Sequence, residues 1–84
     1  MVYIDSFNAP YRRMLMCHML ADNTTELLLF AYAIGVNLKW VQYPGTRSEH
    51  FDICQSKKRL ALALGAKEVT LYEMGTIMSK RLRV

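Results

Sequence analysis

No stretch of this sequence reaches the roughly 18 apolar residues that a membrane-spanning helix needs, because charges interrupt every candidate run. The opening "MVYIDSFNAPYRR" lacks the basic start and long apolar core of a secretory leader. A cytoplasmic protein with no membrane partner is the expectation. There are only two cysteines, Cys17 and Cys54. They form no CxxC pair and sit among apolar neighbours, so reduced, packed thiols are expected rather than a disulfide framework. The four glycines, at 35, 45, 65 and 75, are isolated. That spacing excludes a phosphate-cradling P-loop and a dinucleotide fingerprint, both of which need clustered glycines. No cysteine-nucleophile triad is visible either.

What the chain does have is apolar content, at 52% of 84 residues. Aromatic and β-branched residues spread along its whole length argue against disorder. This length sits near the lower end of independent folding, so one domain is expected. Such a small domain cannot hide all of that apolar surface, and a homo-oligomer, most simply a dimer, is expected to cover a sheet edge or a last helix carrying Ile77 and Met78. Five of the six methionines fall within the apolar runs and read as core filling. The net charge of +4 comes entirely from the second half, chiefly "KKR" at 57–59 and "KRLR" at 80–83. Either cluster could attract phosphate, and either could be a solvated helix face.

Along the chain, "VYID" at 2–5 predicts a short buried strand ending on a carboxylate, and "SFNAPYRR" predicts a loop. "MLMCHMLA" at 14–21 fits a buried strand or a helical turn. A helix over 24–34 is predicted from Asn23 as cap, Glu26 three residues on, apolar positions at Leu27, Phe30, Ala31 and Ile34, and Gly35 as the left-handed stop. "NLKWVQY" at 37–43 reads as a strand and "PGTRSE" as an exposed loop. Asp52, with Gln55 three on, can cap a second helix over 53–64 that stops at Gly65. "AKEVT" reads as a strand, and Thr70 with Glu73 makes a capping box for a third helix over 71–82. Two helix–glycine–strand units in succession predict a mostly parallel sheet of three or four strands in a two- or three-layer α/β fold. Ligands would then gather at the carboxyl ends of the strands.

The segments "VYID", "APYRRM", "CHMLAD", "EHFDI" and "LALALGAKEVT" together resemble an uncharacterised bacterial and phage family, domain of unknown function 4031. The resemblance spans nearly the whole chain. It directs attention to Asp5, His18, Asp22, His50 and Asp52, and it implies no reaction.

The residues themselves leave alternatives open. His50 and Asp52 are two apart, so an extended segment puts both on one face about 7 Å apart, whereas a helix cap at Asp52 leaves His50 in a loop. His18 and Asp22 share a face in a helix, and in a strand they share one at greater distance. His18 within "MLMCHML" can equally be a satisfied core histidine. If they converge, two imidazoles and several carboxylates offer a mixed N/O shell for Mg²⁺, Mn²⁺ or Zn²⁺, with His18, Asp22, His50 and Asp52 as ligands. The expected pocket is lined by Asp5, His18, His50 and Asp52, with Lys57 and Arg59 drawing a phosphate-like anion toward a helix start. Binding of a metal or a small anionic, nucleotide-like ligand ranks first, because no dedicated base or lid is evident. Metal-assisted phosphoester hydrolysis, as in a hydrolase or nuclease, is the alternative. A nucleic-acid accessory protein is the third reading, with Tyr3, Tyr11, Trp40, Tyr43 and Phe51 stacking bases and Lys57, Lys58 and Arg59 holding phosphate.

Overall fold

The computed structural model describes residues 1–81, so Leu82 and Arg83 of the C-terminal basic stretch lie outside the described residues. The chain runs through strands β1 (Val2–Asp5), β2 (Ala9–Tyr11) and β3 (Met14–Ala21), helix α1 (Thr24–Ala33), a 3-10 turn (Leu38–Trp40), strand β4 (Phe51–Cys54), helix α2 (Gln55–Ala63), strand β5 (Lys67–Val69) and helix α3 (Leu71–Lys80). No described helix is long and apolar enough to cross a membrane.

The sheet is mixed and mostly antiparallel, which corrects the parallel expectation. β3 pairs antiparallel with β1, β2 and β4, and only β1 and β5 run parallel. Two features of the chain account for this. Tyr11 and Met14 are joined by Arg12 and Arg13 alone, Arg12 taking a left-handed φ of 56°, and so short a link can only join antiparallel strands. The segment 37–43 is no strand. Asn37 accepts the Lys39 N–H and winds the chain into the 3-10 turn, leaving one bridge between Gln42 and His50. The helix–glycine–strand pattern after α1 therefore does not build a crossover. β2 also lies where a loop was expected. Its Pro10 is tolerated because β2 is an edge strand.

Strand alternation then sorts the side chains. Val2 and Ile4 of β1, Cys17, Met19 and Ala21 of β3, and Phe51 and Ile53 of β4 point to one face, where Leu27, Ala31 and Ile34 from α1 and Ala61 from α2 cover them. Phe51 is completely buried, and a side chain of that size contributes about 1.5–3 kcal/mol when withdrawn from water. On the opposite face, Leu20 and Val69 meet Met74 of α3, with Tyr3, Ile77 and Met78 packed around them. Ile77 and Met78 are thus partly covered within the chain itself. α3 shields only this part of the second face, and the rest, around Met16, His18 and Asp52, borders an open cleft.

The caps follow the sequence closely. Asn23 accepts the Glu26 N–H, although the Glu26 side chain turns to the N-terminal amine instead of closing a box. Gly35 and Gly65 take positive φ after α1 and α2. Thr70 and Glu73 complete both halves of a capping box. Thr70→Ala is expected to remove about 1 kcal/mol of stability, a fall in melting temperature of about 4–8 °C by calorimetry.

Candidate functional site

The site begins with a break in the sheet. Between β1 and β2 the register along β3 shifts by two residues, so Ser6 and Phe7 loop out of the ladder. Asp5, the last residue of β1, repairs the gap with its side chain. Its Oδ1 accepts the His18 N–H at 2.9 Å and the Phe7 N–H at 3.3 Å, the latter closing an Asx turn. Its Oδ2 lies 2.6 Å from His18 Nδ1. Asp5 is fully buried, so these partners replace all of its hydration. Phe7, looped out by the break, stacks on the His18 ring at 5.5 Å.

His18 faces Asp52 directly across the β3–β4 ladder, and His50, two residues before Asp52, shares their face. His50 Nδ1 is 2.6 Å from the Ser48 carbonyl oxygen. A carbonyl can only accept, so Nδ1 carries a proton, and in the neutral imidazole Nε2 is then the nitrogen with the lone pair. The Asp5 carboxylate imposes the same tautomer on His18. Both Nε2 atoms turn to Asp52 Oδ1, at 3.8 Å from His18 and 3.5 Å from His50. The second oxygen of Asp52 accepts from Gln42 Nε2 at 2.5 Å. One donor atom each from His18, His50 and Asp52 falls within 4.8 Å of the others. Zinc bound tetrahedrally separates its ligand atoms by about 3.3 Å, so movements of a few tenths of an ångström to about an ångström would close this set on an ion. Among the described residues no lysine or arginine side chain forms an ion pair with Asp5 or Asp52.

The loop that presents His50 is fastened from behind. Glu49 is buried and accepts from the Arg81 guanidinium at 2.7 Å, the Thr24 hydroxyl at 2.8 Å and the Gly45 N–H at 2.8 Å. Burial alone pushes the Glu49 carboxyl up. The Gly45 N–H, Arg81 and Thr24 together outweigh that and hold it below the ordinary value of 4.5. Tyr43, held at a φ of 51°, stacks on His50 at 6.1 Å from the other side.

His18 and Asp52 form part of the wall of a cleft of about 660 Å³. Phe7, Tyr11, Met16 and Trp40 supply much of the remainder, with the Arg12 side chain at the hairpin turn. The site therefore sits on the open face of an antiparallel sheet, and the expected position at the carboxyl ends of parallel strands is corrected.

Of the residues singled out from sequence, Asp5, His18, His50 and Asp52 come together. Asp52 does not cap α2. It lies within β4, and Cys54 occupies the cap position without a side-chain bond. Asp22 lies beyond the far end of β3, where it accepts from Tyr3 Oη at 3.0 Å and pairs with the N-terminal amine. Lys57 and Arg59 belong to α2, which packs on the opposite face of the sheet. The Lys57 ammonium lies 3.0 Å from where a Cβ on Gly35 would stand, at the carboxyl end of α1, while Arg59 is exposed. Lys58 pairs with Glu68 at 2.6 Å. Phe7, Arg12 and Gln42 were not foreseen. Gln42, a lone polar residue in "WVQY", was the one legible hint. Both cysteines are free, and burial pushes the Cys17 thiol up to about 11.

A mixed α/β fold with a histidine–aspartate cluster on its open face is the class these observations define. Residues 2–81 match the family described as a protein of unknown function, DUF4031, and the chain belongs to that family. No curated protein and no solved structure matches the chain.

Proposed function

We propose that the protein binds a divalent transition-metal ion through His18 Nε2, His50 Nε2 and Asp52 Oδ1, and that the metal receives an anionic ligand from the cleft. The observation that carries this reading is the double locking of the histidines: each Nδ1 is tied to an acceptor, so both free nitrogens face the same carboxylate oxygen. Ligating histidines are usually held in this way, the second nitrogen donating to a carboxylate or carbonyl. Two imidazoles and one carboxylate favour Zn²⁺ over Mn²⁺, and Mn²⁺ over Mg²⁺, since imidazole is a poor match for the harder ions. Three protein ligands leave at least one coordination position for water or for an oxygen of the ligand. A metal-bound water there has its pKa lowered toward about 7, the chemistry that the hydrolytic alternative requires.

The test is zinc binding by calorimetry and by metal analysis of protein dialysed against buffered zinc. One equivalent is expected to bind. His50→Ala is expected to weaken binding by several hundredfold or more, since one of three ligands carries about 3–5 kcal/mol of a zinc binding free energy of about 10–16 kcal/mol. The exposed Arg47→Ala serves as control. Equal zinc affinity for His50→Ala and the control would rule the site out.

A further inference from the structure

The walls of the cleft carry a second pattern. Two aromatic rings on separate segments each bear a cation: the Arg12 guanidinium lies 5.5 Å from the Tyr11 ring, and the Lys39 ammonium 5.0 Å from the Trp40 ring. Tyr11 and Arg12 belong to the β2–β3 hairpin, while Lys39 and Trp40 belong to the 3-10 turn. Both rings line the cleft that His18 and Asp52 border, yet they are 54% and 63% exposed, so neither is consumed by the core. A ring with a cation over one face keeps its other face for a flat heterocycle and holds a positive charge nearby for an anion, and this arrangement occurs twice around one cleft. A volume of about 660 Å³ lies within the usual 300–1,000 Å³ of small-molecule sites.

We propose that the cleft takes a nucleoside phosphate, its base stacked on Trp40 and its phosphate shared between the metal and Arg12. The inference deepens the metal reading above and rests on it for one end of the ligand. A single nucleotide fits better than a nucleic-acid strand. Of the basic cluster expected to hold a backbone, Lys57, Lys58 and Arg59 stand on α2, which packs on the opposite face of the sheet, and none of the three lines the cleft.

Trp40 is the sole tryptophan, so its fluorescence reports on stacking without labels. The experiment titrates zinc-loaded protein with adenosine 5′-monophosphate, with inorganic phosphate and with a ten-residue single-stranded oligonucleotide. The monophosphate is expected to quench Trp40 and to bind at least tenfold more tightly than inorganic phosphate. Trp40→Ala is expected to weaken the monophosphate by roughly five- to hundredfold, the range for loss of one stacked base, and to leave inorganic phosphate unchanged. Arg12→Ala should weaken both by about tenfold. Tyr72→Ala, 85% exposed on α3, should alter neither.

Equal binding of phosphate and monophosphate, or a Trp40→Ala variant with an unchanged ratio between them, would overturn the proposal. Tighter, steeply salt-dependent binding of the oligonucleotide would overturn it in favour of a strand. If zinc fails to bind while Trp40-dependent monophosphate binding persists, the base platform stands and the metal reading falls.

Discussion

Arg81→Ala is expected to lower the stability of the fold by about 3–5 kcal/mol, because it strands the Glu49 carboxylate in the interior. Both side chains are only 1% exposed, and the guanidinium also donates to the backbone oxygens of Thr46 and Glu49. At about 4–8 °C per kcal/mol for a domain of this size, the melting temperature should fall by at least about 12 °C. The companion prediction concerns pH. Glu49 has its carboxyl held below the ordinary value in the folded state, so its stabilisation is complete above 4.5 and is lost as pH falls through the lower folded value. Between about pH 5 and 3, Glu49→Gln should therefore lose less stability than the natural chain does. Parallel curves from chemical denaturation across that range would show that Glu49 does not govern acid unfolding.

Asp5→Asn should separate the structural and chemical duties of the buried carboxylate. The amide oxygen can still accept the N–H groups of His18 and Phe7, so the break between β1 and β2 remains bridged and stability should fall by only about 1–2 kcal/mol. The amide nitrogen, however, would then face His18 Nδ1. It can only donate there, which moves the histidine proton to Nε2 and removes the lone pair aimed at Asp52. Zinc affinity is expected to fall about 10–100-fold, the usual effect of losing an outer-shell partner. Asp5→Ala should cost more, about 2–4 kcal/mol, since three partly buried donors, the His18 and Phe7 N–H groups and His18 Nδ1, lose their acceptor at once. Calorimetric zinc titration and thermal melts of the two variants give both readouts. Undiminished zinc affinity in Asp5→Asn would show that Asp5 only closes the sheet.

The parts of this protein legible in its sequence are those governed by near neighbours. Asn23, Gly35, Gly65 and the Thr70–Glu73 box act within a few residues, and the helices stand where these signals put them. His50 and Asp52 share a face through a separation of two, which an extended chain guarantees. Strand pairing was mostly not legible, because β1 and β4 reach β3 from distant segments, and the one local partner, β2, is joined to it by a turn, Arg12–Arg13, that carries no glycine signal. Asp22 shows the same limit. Four residues from His18 means one turn in a helix but about 13 Å in a strand, and β3 is a strand. Asp52 offered a local capping signal, an acid three residues before Gln55, that the structure overrules: it pairs with His18 across the sheet, and α2 starts after Cys54. Lys57 and Arg59 were close in sequence to the site, but the direction in which α2 leaves β4 carried them to the other face.

The Asp5 carboxylate works as a splice in the backbone ladder. Because a side chain bridges the break, Ser6 and Phe7 are released from the two-residue repeat that binds every other position of β1 and β2 to β3. Side-chain exchanges at these two positions are therefore expected to leave both strand registers in place. Phe7 roofs His18 from that detour, so the mouth of the cleft can be reshaped there while His18, His50 and Asp52 keep their places. The fold thus separates the part of the site that can diversify from the part that must stay constant.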